Sequence, residues 1–72
     1  MSWTLKFEDP IALPDGRELI TLRDAGEYIT ALPARRQKAP HWAKATEMLL
    51  MAAEGRGPRM LAEIAMRRAL AD

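Results

Sequence analysis

Apolar and polar residues alternate from Trp3 to Glu8, the period-two pattern of a strand with one face buried. Ile11 and Leu13 keep the same odd parity beyond Asp9-Pro10. The pattern therefore predicts one long, bent edge strand interrupted at Pro10, since proline is tolerated at an edge or a bulge and not in a central ladder. Leu13-Pro14-Asp15-Gly16-Arg17 is a turn signal, with Pro setting the first corner and Gly able to take a positive φ. Arg17 to Ile20 returns as a second strand. Trp3, Leu5, Phe7, Ile11 and Leu13 make the face expected to lie on the rest of the chain.

At Thr21 the period changes. Thr21-Leu22-Arg23-Asp24 fits a capping box with Asp in place of Glu, and Leu22, Ala25, Ile29 and Leu32 then share one helical face. This predicts a first helix over about 22–32, stopped by Pro33. Gly26 falls at the edge of that face, where a missing side chain permits close helix approach. Ala34 to Ala39 read as a polar linker. Pro40 suits the first position of a second helix, about 40–54, which Gly55 closes. Its apolar arc centres on Trp42, Ala45, Leu49, Ala52 and Ala53, while Met51 sits among Lys44, Glu47 and Glu54. A third helix, about 58–70, would bury Leu61, Ile64, Ala65, Met66 and Ala69 and turn Glu63 and Arg67 outward. The expected fold class is α+β: a two-stranded antiparallel β-hairpin over about 3–20, packed on three α-helices (ββααα) in one small domain spanning 1–72.

Composition narrows the picture. Hydrophobic residues make up 49%, but 13 of those 35 are Ala, so few large side chains remain for a core. A thin core makes a homo-oligomer, most simply a homodimer, the expected form of the chain. With no Cys, one Ser and one His, the inventory excludes disulfides, thiol chemistry and Cys-based metal sites. His41 beside Pro40 reads as a helix-start residue, not a general base, and Ser2 as a terminal residue without support. The sequence therefore predicts no enzyme, no catalytic residue, no cofactor and no metal. The longest apolar run, Met48 to Ala53, is far below the ~20 residues of a membrane helix, so no membrane association is expected. No basic-apolar-small leader precedes the first strand, and the expectation is a complete cytoplasmic protein.

A wider pattern runs through the chain: Phe7, Pro10-Ile11, Asp15-Gly16-Arg17, Thr21, Asp24-Ala25 and Pro33, then Pro40-x-Trp42-x-x-Ala45, Ala52-Ala53 and Gly55. In this it resembles a family of short alphaproteobacterial proteins of the rhizobial type, whose function is unknown. The likeness covers about Phe7 to Leu70, and its motifs are structural ones. It implies a strand-strand-helix-helix-helix domain of a cytoplasmic bacterial protein and carries over no ligand or catalytic residue.

The formal charge of +1 conceals a division. Residues 1–34 carry 3 basic and 6 acidic groups, and residues 35–72 carry 8 and 4, so the halves stand at −3 and +4. Opposite-signed halves suit contact between copies. Trp3, Met48 and Met51 are the candidate contact residues, because Met-rich surfaces adapt to partners. The free edge of the first strand, Trp3 to Glu8, is a second candidate, by strand addition. The leading expectation is a non-enzymatic protein-interaction or self-associating module. The alternative is an accessory nucleic-acid binder with Arg35, Arg36, Lys38 and Lys44 on phosphates.

Overall fold

In the computed structural model, which describes residues 2–71, the chain forms β1 (Lys6–Ala12), β2 (Glu18–Thr21), α1 (Leu22–Thr30), α2 (Ala34–Gln37), α3 (Pro40–Ala53) and α4 (Arg59–Ala71). The architecture is α+β: an antiparallel two-stranded hairpin followed by helices. Gly16, at φ +92°, closes the hairpin turn by donating its N–H to the Leu13 carbonyl at 3.1 Å.

β1 carries a large irregularity. Lys6 pairs with Thr21 and Ile11 with Leu19, so residues 7–10 of β1 stand opposite Ile20 alone. Pro10, which has no N–H to offer a ladder, falls inside this bulge. Phe7 and Ile11 still turn inward, as their shared parity requires.

The predicted strand start at Trp3 is corrected: Leu5 N–H donates to the Ser2 carbonyl, and the chain turns at Trp3-Thr4. That turn breaks the alternation, and Leu5 faces solvent instead of the core. Ser2 is also not loose, because its N–H donates to the Ala53 carbonyl at 2.8 Å.

The carbonyls of this N-terminal turn serve α1. A helix leaves its first N–H groups without intrahelical acceptors. Here Thr21 N–H meets Asp24 Oδ2, Leu22 N–H meets the Leu5 carbonyl, Arg23 N–H meets the Trp3 carbonyl, and Asp24 N–H meets Thr21 Oγ1. The capping box is formed with Asp, as its spacing predicts. At the other end Gln37 donates to the Thr30 and Leu32 carbonyls. The predicted polar linker is thus partly helical. α2 is one turn whose Gln37 side chain satisfies the open end of α1.

α3 begins at Pro40 and ends in a Schellman motif. Gly55, at φ +76°, and Arg56 donate to the Ala52 and Met51 carbonyls. Trp42, Ala45, Leu49 and Ala52 of α3 meet Leu22, Ala25 and Ile29 of α1 and the hairpin's Phe7, Ile11, Leu13 and Leu19.

The predicted phase of the last helix is corrected. α4 buries Ala62, Glu63, Met66 and Ala69, while Leu61 and Ile64 are 46% and 40% exposed. Small Ala residues on both α3 and α4 allow the two helices to pack closely, which turns the larger side chains aside. Among the described residues, no helix is long and apolar enough to cross a membrane.

Candidate functional site

That rotation of α4 creates an apolar groove on the surface. Leu61 and Ile64 of α4 face half-buried Met48 of α3 across a groove of about 320 Å³. Lys44 and Arg68 stand on its rim, both exposed and neither in an ion pair among the described residues. His41 completes the wall at the start of α3. Among the described residues no carboxylate lines the groove. The surface is apolar at its centre and cationic at its edge, which suits an amphipathic, acidic counterpart.

A second cavity, about 410 Å³, opens beside β2 and α1 with the opposite sign. Glu18, Asp24 and Glu27 line it, with Tyr28 and Leu32 as its apolar part. Among the described residues Arg17 is the one cation of the lining, and it is bound to Asp15 at 2.8 Å. The Arg17 backbone N–H, followed by its guanidinium, holds the Asp15 carboxyl below the ordinary carboxylate value. Asp24 is held low chiefly by the Ile20 N–H, then by the Thr21 N–H and hydroxyl.

The third polar cluster belongs to the fold. Glu63, 7% exposed, accepts from Arg67 Nη1 at 2.7 Å and from the Asp9 N–H at 3.3 Å. Burial pushes its carboxyl up, but the Arg67 guanidinium and the backbone N–H groups of Asp9 and Glu8 outweigh this and leave it below its ordinary value. Arg67 also donates to the Asp9 carbonyl, and Arg59 to the Lys6 carbonyl. The expectation that Glu63 faces outward is therefore overturned, whereas Arg67 is exposed as expected and reaches back to Glu63 and Asp9. The expectation of an open β1 edge for strand addition is overturned too, since α4 side chains occupy it at Lys6 and Asp9.

The three contact residues predicted from sequence lie apart. Met48 lines the groove. Met51 lies over Gly57 in the turn between α3 and α4, where a Cβ on the glycine would meet it at 3.5 Å. Trp3 lies over Gly26, its Cζ3 being 3.4 Å from where a Cβ would stand. The close approach that Gly26 permits is thus to an indole and not to a helix.

The four predicted phosphate contacts divide as well. Arg35, Arg36 and Lys38 are exposed at α2, whereas Lys44 belongs to the groove. Leu61, Ile64 and Arg68 were the residues sequence reasoning missed. Their signal is present: α4 carries two apolar stripes, and a chain of this size has too few partners to bury both.

Among the described residues no group of three or more His, Asp or Glu side chains is placed to hold a metal ion. Comparison of the chain with protein-family models, with curated proteins and with solved structures finds no match.

Proposed function

We propose that this chain is a non-enzymatic protein-interaction module that self-associates through the groove between α3 and α4. The observation that carries the reading is the exposure of Leu61 and Ile64 beside Met48. Three apolar side chains meet there in a chain whose buried core, among the described residues, has six alanines in fifteen apolar residues. Covering them removes apolar surface from water at ~25 cal/mol per Å², the same source of stability that the small core supplies sparingly. Light scattering over a concentration series tests it. The wild-type mass should rise with concentration, and Ile64→Asp should hold the chain at monomer mass. A wild type of constant monomer mass counts against it.

A second reading has its own observation. Arg35, Arg36 and Lys38 are exposed, and none forms an ion pair among the described residues. Three unneutralised cations at one short helix suit phosphate contact by an accessory nucleic-acid binder. Binding of duplex and single-stranded probes should then fall steeply with salt and be weakened by Arg35→Ala with Arg36→Ala. Absence of binding at low salt dismisses this reading.

A further inference from the structure

The acidic cavity beside β2 carries the charge that the α3–α4 groove lacks. We propose that the groove receives the outer face of β2 from a second copy of the chain, with Ile20 as the inserted side chain. This rests on the self-association proposed above and adds its geometry.

Ile20 is 43% exposed, although it is a large apolar residue in a strand. Its neighbour Leu19 turns into the core, so by strand alternation Ile20 and exposed Glu18 share the outer face. Asp24 reaches Ile20 from α1, its Oδ2 accepting from the Ile20 N–H at 3.0 Å. Exposed Ile20, the apolar knob, thus follows the carboxylate of Glu18 on the same strand face, and its backbone is held by the carboxylate of Asp24. The groove has the converse arrangement, with Leu61, Ile64 and Met48 between Lys44 and Arg68. The two surfaces match in both polarity and charge.

Charge also decides against the simpler two-fold contact. Groove against groove would set Lys44 and Arg68 of one copy near the same cations of the other, and such like-charge juxtaposition is costly. Knob against knob would do the same with Glu18 and Asp24. The contact therefore joins two different surfaces, and a head-to-tail pair keeps one groove free on one copy and one knob free on the other. Heterologous contacts of this kind form rings if the rotation closes and open chains if it does not.

Two single variants test this through light scattering. Ile64→Asp blocks the groove and leaves the knob, while Ile20→Asp blocks the knob and leaves the groove. Both positions are already exposed to water, and circular dichroism checks that each variant folds. Each alone should be monomeric, and their equimolar mixture should form a dimer that grows no further. Lys44→Glu and Glu18→Lys supply a second pair, each weakened alone and restored on mixing.

An Ile20→Asp chain that assembles like the wild type overturns the proposal, as does a mixture that stays monomeric. In both cases a wild type that still assembles leaves the self-association reading intact. A monomeric wild type removes the two together.

Discussion

Arg67 Nη1 stands 2.7 Å from Glu63 Oε2, one helical turn along α4, and the pair holds a bulge in another element. Four residues of β1 face a single residue of β2, so the bulge lacks ladder partners. Glu63 accepts the Asp9 N–H and Arg67 donates to the Asp9 carbonyl, which binds the irregular part of β1 to α4. The pair joins an interruption made by Pro10 to a helix more than fifty residues later.

Removing the buried member should cost more than removing the exposed one. Glu63→Ala leaves the Asp9 N–H and the guanidinium without their acceptor and should destabilise by about 1–3 kcal/mol. Arg67 keeps 43% of its side chain in water, so Arg67→Ala should cost less. Urea unfolding measures both, and the double variant should lose less than the sum because the two share one interaction.

Acid should weaken the fold through named carboxylates. Glu63 and Asp24 both titrate below their ordinary values in the folded chain. A lowered folded pKa stabilises above the unfolded value and is lost as pH falls through the folded one. Stability should therefore be constant near neutrality and decline below about pH 4.5. Glu63→Gln and Asp24→Asn should each flatten that decline in unfolding measurements made across the acid range.

Two glycines should respond to alanine in opposite directions. At Gly26 the new Cβ would lie 3.4 Å from the Trp3 ring, an ordinary contact, and alanine favours a helix by up to ~1 kcal/mol. Gly26→Ala should raise the melting temperature slightly. Gly55 meets nothing within 4 Å but holds φ +76°, where a side chain strains the backbone. Gly55→Ala should lower the melting temperature.

Trp42 packs at 1% exposure against Tyr28, ring centroids 5.8 Å apart, and its Nε1 has no hydrogen-bond partner among the described residues. Trp42→Phe removes that orphaned donor along with some packing, and the two effects partly cancel. Trp42→Ala removes the same donor but nearly all of the packing with it, and should cost about 3–5 kcal/mol. Calorimetry should show Phe far closer to wild type than Ala.

What the sequence disclosed was local. The Thr21–Asp24 capping box, the Pro14-Asp15-Gly16 turn, Pro40 and Gly55 each act within a few residues, and their types and spacing identify them. Pro10 announced an interruption, but not that Glu63 and Arg67 would fill it, because that partnership spans two distant elements. The phase of α4 was misread for a related reason. Periodicity ranks Leu61 and Ile64 above Ala62 and Ala69, whereas close packing of α3 on α4 favours the small residues and turns the large ones to water. The groove is the consequence of that choice, which is why the sequence points to Met48 of its lining but not to Leu61, Ile64 or Arg68. The parity of Trp3 places it on the face that packs on the helices, and it does lie against the core, but its seat over Gly26 is not legible, since one chain carries no sign of which residue an indole will cover.

The most direct test of the proposed contact is a dilution series, from millimolar to micromolar, followed through the backbone amide resonances. The account predicts concentration-dependent shifts at two separate places: Lys44, Met48, Leu61, Ile64 and Arg68 on the groove, and Glu18 and Ile20 on β2. The shifts should shrink as salt is added, because exposed charge pairs are screened. Resonances that do not move with concentration, or that move at α2 alone, would contradict it.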